Sequence, residues 1–274
     1  KNAYAVYMTM PEFFSASHSH AEAGSFQIYY KGMLASDSGY YTTHGLGHHA
    51  AYTRQTISSN SLLIYNPGLC VEGGWHDHVY SGGQSQIRDI TRIIAPYTLE
   101  SAMECESMNQ LTILGKAKGD SDEKYEFSYI GADITKAYDD VTVDEVTRHM
   151  LSVATDSPDI PMVFATFDRV TAKSPYFKKT ALLHSMCPPT VTDDGYVIIT
   201  NTKDGNNGKL VAQSLITDMA YTVFGDGDGS EYTVNETVFK PRSYRTLRHR
   251  KTRSRHVVYR RCIYCKNQHL GLLL

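Results

Sequence analysis

From Ile87 onward the chain is a procession of short segments rich in Val, Ile, Thr, Tyr and Phe, at 87–94, 110–115, 125–132, 143–155, 162–171, 177–184, 196–201, 209–216, 220–224 and 231–239. Residues of these types suit a pleated, half-buried surface, and the clusters of Gly, Asp, Asn and Pro between them read as turns. Asp204-Gly205-Asn206-Asn207-Gly208 and Gly225-Asp226-Gly227-Asp228-Gly229 are the clearest of these. No segment keeps a long, capped period of 3.6 residues. Many strands at short spacing predict an all-β chain, folded as a large antiparallel β-sandwich or stacked antiparallel sheets. With 274 residues there is room for one large β domain or two smaller ones. No run of 18 or more apolar residues occurs, so no membrane span is expected. Gly225–Gly229 also has the oxygen-rich character of a calcium loop, but lacks EF-hand spacing and the closing glutamate; a hairpin turn is the alternative.

A change of texture sets the expected boundary. Residues 242–274 hold ten Lys or Arg and no Asp or Glu, which leaves 17 basic against 29 acidic residues in 1–241, a net of −12. We therefore read 1–241 as the folded sandwich and 242–274 as a basic tail outside it. Abrupt loss of all acidic residues is what a reading-frame change would produce. Cys262-x-x-Cys265 with His256 and His269 has the look of half a zinc site, but only one tight pair is present. The basic run alternatively suits an acidic polymer; no nucleic-acid partner is expected. The five cysteines are scattered and odd in number, which argues against a disulfide framework. The chain opens on Lys1 without a signal segment, as a mature or truncated product would.

The chemistry-bearing stretch is His18-Ser19-His20-Ala21-Glu22-Ala23-Gly24-Ser25-Phe26-Gln27-Ile28-Tyr29-Tyr30-Lys31-Gly32. In an extended segment, side chains at i and i+2 share a side, so His18 and His20 can face one site. Phe26, Ile28 and Tyr30 alternate as a strand does, and 34–41 reads as its hairpin partner, which would bring Asp37 back toward the histidines. Two imidazoles and a carboxylate form a plausible ligand set for a divalent metal, zinc in particular. Tyr40, Tyr41 and Tyr52 lie close by in sequence and suit packing or sugar stacking. Arg54 could hold a substrate carboxylate with two parallel bonds, or equally pair with a local aspartate.

These residues, taken in order with Asp37-Ser38-Gly39-Tyr40, His48-His49 through Tyr52, Arg54-Gln55-Thr56-Ile57, Asn60 through Pro67, Gly82-Gly83-Gln84, Ala132 through Tyr138, Phe167 through Val170 and Phe177 through His184, resemble the C-terminal β-sandwich part of the heparinase II/III-like polysaccharide lyases. The resemblance runs over most of residues 15–240. It implies an α/α toroid upstream in the full-length protein, with the active cleft between toroid and sandwich. It also implies a periplasmic or cell-envelope location in a bacterium.

By that resemblance His18 is the catalytic histidine that reaches into the cleft. Arg54, His49 and Tyr41 are its substrate-binding neighbours. His20 and Asp37 match two ligands of a structural zinc. The third ligand in the family's pattern is a histidine just before the Asn of Thr-Ile-x-x-Asn; that position here is Ser59, a poor zinc ligand. His48, His49 or a water are left as substitutes. The expected function is a lyase, or a fragment of one, that cleaves an acidic uronic-acid polysaccharide such as heparin or heparan sulfate by β-elimination. A non-catalytic carbohydrate-binding sandwich and an inactive truncated product are the alternatives.

Overall fold

The computed structural model describes residues 3–13, 19–39, 48–69, 81–84, 98–100, 109–120, 125–216, 219–224, 233–234, 237–238, 255–261 and 267–273. Its first sheet contains β1 (Tyr4–Thr9), β2 (Ser25–Tyr30) and β3 (Met33–Ala35), paired in that order. The other strands are β4 (Leu62–Tyr65), β5 (Thr112–Asp120), β6 (Tyr125–Asp133), β7 (Val143–Ala154), β8 (Met162–Ala172), β9 (Lys178–Ser185), β10 (Pro189–Val191), β11 (Tyr196–Asn201), β12 (Gly208–Ser214), β13 (Met219–Phe224), β14 (Thr233–Val234), β15 (Thr237–Val238), β16 (Arg255–Arg261) and β17 (Asn267–Leu273). Eight of them form one sheet in the order β10-β11-β12-β17-β8-β7-β6-β5; four form a second, β13-β16-β9-β4; β14 and β15 form a hairpin. Every pairing is antiparallel. The all-β, sandwich-like fold expected from the sequence is the fold observed. The segment 87–94 and the Gly225–Gly229 and Cys262–Cys265 motifs lie outside the described residues.

The main core lies on the inner face of the large sheet. Val146 and Met150 of β7 and Phe164 and Val170 of β8 point inward, two residues apart or a multiple of two, as the strand period requires. Against them pack Phe26 and Ile28 of β2, Leu34 of β3, Leu62 and Ile64 of β4, and Leu183 of β9. The Phe26 and Phe164 rings are 4.8 Å apart. Between Ile64 and Leu62, Leu63 points the other way and joins Leu182, Tyr52 and Ile57 in a second small core. The second sheet is thus covered on both faces, which explains the unbroken apolar runs Leu62-Leu63-Ile64 and Ala181-Leu182-Leu183. The segment 48–60, built of short helical turns at His49–Thr53 and Thr56–Ser58, lies over its far side.

The sequence reading puts residues 242–274 outside the sandwich, yet two stretches of that segment are strands here. β16 pairs with β9 and β13, and β17 pairs with β8 and, through its last residues, with β12. The backbone positions involve Val257-Val258-Tyr259 and Leu270 through Leu273, residue types that suit strands whatever the net charge of the segment. Among the described residues no helix is long and apolar enough to cross a membrane.

Candidate functional site

The loop 19–24 is held from four directions. Ala21 N–H donates to Arg54 O at 2.9 Å, Gly24 N–H to Thr9 O at 2.8 Å, and Ser25 N–H to Glu22 O at 2.8 Å. The Gln84 amide clasps the backbone of Ala23 from both sides: Ala23 N–H donates to Oε1 at 3.0 Å and Nε2 donates to Ala23 O at 2.7 Å. Behind the loop, Arg148 of β7 donates from Nη1 to Gly24 O at 2.6 Å and to Asn60 O at 3.0 Å. Its Nε and Nη2 grip Asp168 of β8 at 2.6 and 2.8 Å. Arg148 and Asp168 are each 1% exposed. Burial works against the Arg148 charge, and the Asp168 carboxylate outweighs it and raises the guanidinium pKa. Gly24 has φ +79°, and a Cβ there would stand 3.0 Å from Arg148 Cδ, so both the turn and the close approach require glycine.

The hairpin of β2 and β3 turns at Lys31-Gly32 and delivers Asp37 to the outer side of β2. There Gln27 Nε2 donates to Asp37 Oδ2 at 2.9 Å and Ser25 Oγ to Oδ1 at 3.4 Å. Glu22 completes the group with a side-chain hydrogen bond to Asp37. Two carboxyl groups in contact and largely shielded from water cannot both ionise cheaply. Burial first, and the Asp37 charge second, raise Glu22 to about 7; burial likewise raises Asp37 to about 6 against the bonds from Gln27 and Ser25. Asn60 secures the same corner: its N–H donates to Ser25 Oγ at 3.1 Å, its Nδ2 to Phe26 O at 2.7 Å, and its Oδ1 accepts His184 N–H at 2.6 Å.

A third group of residues comes from 48–54. The His48 ring stacks on Tyr52 at 5.0 Å, and Tyr52 Oη shares a 2.5 Å hydrogen bond with Ser38 Oγ. Burial, with His49 adding to it, lowers His48 to about 4, so it is neutral at physiological pH. His49 meets His20 edge-on, ring centres 6.0 Å apart. Arg54 is 3% exposed; its Nε donates to Ser19 O at 3.3 Å, and its buried Nη2 has no hydrogen-bond partner. Burial lowers the Arg54 pKa. A guanidinium held this way, with no carboxylate on it among the described residues, has the donor arrangement that an incoming carboxylate matches.

His20, His49 and Arg54 meet the loop 19–24 directly, and Asp37 reaches it through Glu22. His18 and Tyr41 lie outside the described residues. Asp37 turns toward Ser25, Gln27 and Glu22. Glu22 is a site neighbour that the sequence reading did not assign. Arg148 was also missed, although it had a signal: it lies between Val146 and Met150 on the inward parity of its strand, as Asp168 does between Thr166 and Val170. An Arg and an Asp on the core side of adjacent strands must pair, because neither can be buried alone.

Residues 5–97 match the family model described as heparinase II/III-like, C-terminal. That stretch, about a third of the chain, is similar to a heparinase II/III-like C-terminal domain. The matched span takes in β1 to β4, the loop 19–24, Asp37, Arg54, Asn60 and Gln84, so the residues that build this corner fall within it. A search of curated proteins finds no match.

The structural zinc implied for such a domain can be tested against the residues present. Ser59, at the third-ligand position, is 2% exposed, and its Oγ donates to Thr56 O at 3.1 Å. A neutral hydroxyl already committed to a backbone carbonyl does not serve zinc as an imidazole does. Among the described residues no group of three or more His, Cys, Asp or Glu is placed to hold a metal ion. The described residues at this corner do not fit the metal.

Proposed function

We propose that this heparinase II/III-like domain is the sandwich half of a lyase that cleaves a uronic-acid polysaccharide, of the heparin or heparan sulfate kind, by β-elimination. The observation that carries the reading is the family match over residues 5–97, which contains the whole loop from His18 to Gly24. The reaction requires three things: neutralisation of the uronate carboxylate so that its C5 proton becomes acidic, a base to take that proton, and an acid to protonate the departing glycosidic oxygen. Proton transfers of this sort contribute ~10²–10⁴-fold each, and charge neutralisation in a shielded site contributes comparably.

In this reading Arg54 supplies the fixed positive charge for the carboxylate. Its free Nη2 donor and buried stem support that role. His18 moves a proton or shares the neutralisation, a job that suits imidazole near neutral pH. His49 and Tyr41 line the sugar site. The remaining acid–base groups come from an α/α toroid joined to this domain, and the protein works in the periplasm or cell envelope. The acidic balance of residues 1–241 favours local cations over general attraction as the means of holding a polyanion.

The test is the absorbance of the unsaturated uronate product, measured with this chain and with a form extended upstream, on a panel of uronic-acid polymers. Turnover abolished by His18→Ala, with Arg54→Ala raising KM or abolishing turnover, is the expected result. Binding of the polymers without turnover in either form would instead establish a carbohydrate-binding module. No turnover and no binding would refute both.

A further inference from the structure

We infer that this domain has exchanged the family's metal-held corner for a hydrogen-bonded one, and that it folds and keeps its shape without zinc. The inference rests on the family assignment and not on lyase activity, so an inactive protein would leave it standing.

Three observations carry it. Ser59 occupies the position of a ligand histidine, and its hydroxyl is spent on Thr56 O in a buried turn. Asp37, the carboxylate ligand of the pattern, has each oxygen taken: Oδ2 by Gln27 Nε2 and Oδ1 by Ser25 Oγ, with Glu22 bonded to the same carboxyl. The backbone that a metal would otherwise tie together is already tied. Asn60, next to Ser59, binds both Ser25 Oγ and Phe26 O, so the 59–60 corner is fastened directly to the start of β2. Ser38 N–H donates to Ser58 O at 2.7 Å, which fastens the segment after β3 to the same turn. A metal linking residues 20, 37 and 59 would join the loop, the hairpin end and the turn; here these three segments are joined by protein hydrogen bonds alone.

The glutamate has a defined part in this arrangement. Zinc prefers a carboxylate with free lone pairs, whereas a second carboxyl in contact with the first is a hydrogen-bond partner. Glu22 lies two residues from His20 in the chain and beside Asp37, so it stands where it competes with a cation for that carboxyl group.

The experiment uses the whole chain, and the upstream-extended form if that is the soluble one. It is incubated with excess zinc, desalted and assayed for bound metal by elemental analysis, and its thermal midpoint is read with zinc, without it, and with a chelator. The expected result is far less than one zinc per chain and one midpoint in all three conditions. Stoichiometric zinc retained through desalting, or a midpoint lowered by the chelator, would overturn the inference. Glu22→Gln gives a second reading. An amide can still donate to Asp37, so a metal-free corner keeps its midpoint near pH 4 and does not fall below the parent's at higher pH. Stoichiometric zinc gained by this variant would overturn the inference, because it would show that the residues present can hold the metal without a histidine at position 59. A lowered midpoint that added zinc restores would overturn it.

Discussion

Arg148→Met tests whether one buried guanidinium organises the site loop. The change removes the partner of Asp168, a carboxylate that is 1% exposed, and strips a donor from Gly24 O and Asn60 O. Breaking a buried ion pair from one side costs about 3–5 kcal/mol, because the remaining charge is stranded. Against a whole-domain stability of about 5–15 kcal/mol, that is a large fraction. The double variant Arg148→Met with Asp168→Leu separates the parts. It removes the stranded charge, and apolar replacement of a buried pair is often close to neutral. The two carbonyls still lose their donor, at about 1–3 kcal/mol for each group left unsatisfied. The single variant is therefore expected to lose about 3–5 kcal/mol in urea unfolding, and the double variant to recover part of this but stay below the parent. A loss under about 1 kcal/mol in the single variant would refute the ion-pair argument. A double variant equal to the parent would refute the claim that Arg148 holds the backbone at Gly24 and Asn60.

Gly24→Ala is expected to lose at least about 1–2 kcal/mol from its left-handed backbone alone, and more from the approach to Arg148; a urea midpoint equal to the parent's would contradict this. Gln84→Ala strands the amide and carbonyl of Ala23, a fully buried residue, and should cost about 1–3 kcal/mol per group, with faster hydrogen exchange at Ala23 as the local readout. The Glu22–Asp37 pair makes stability fall as pH rises. The unfolded chain releases these protons near 4.5 and 3.8, the folded chain only near 7 and 6, so the contribution is full below about 4 and lost by about 7. Glu22→Gln should therefore gain on the parent steadily across that window; a constant difference would show that the pair does not titrate this way. His48 acts in the opposite sense: its contribution is full above 6.5 and lost as pH falls through about 4, so His48→Gln should blunt the acid limb of the stability curve.

Strand content and class were legible because they depend on local pattern. β-branched and aromatic segments with period two, closed by turn residues, can bury one face only by stacking sheets, and β6, β7, β8, β9, β11 and β12 begin and end within two residues of the expected segments, while the short edge strand β10 was not expected. The hairpin that carries Asp37 was readable for the same reason, since its turn and its alternation lie within a dozen residues. The strand pairings of the basic segment were not readable. Its charge count pointed away from the fold, and the decision to pair β16 with β9 or β17 with β8 is made between strands far apart in sequence.

The loop from His18 to Gly32 announced by itself that a site is here, because two histidines, small residues and a strand follow in a fixed order. It did not announce what fixes the loop. Gln84 and Arg148 reach it from 61 and 124 positions away in the hydrogen bonds to Ala23 and Gly24, Asp168 holds Arg148 from behind, and only the packed sheets bring them together. The sequence alone marked Ser59 as a poor zinc ligand, since a hydroxyl is a neutral, weak donor in any fold. The tertiary structure decided what gathers there: Glu22, Ser25, Gln27 and Asn60 meet around Asp37 and the 59–60 turn because the hairpin and the helical turns converge on one end of β2.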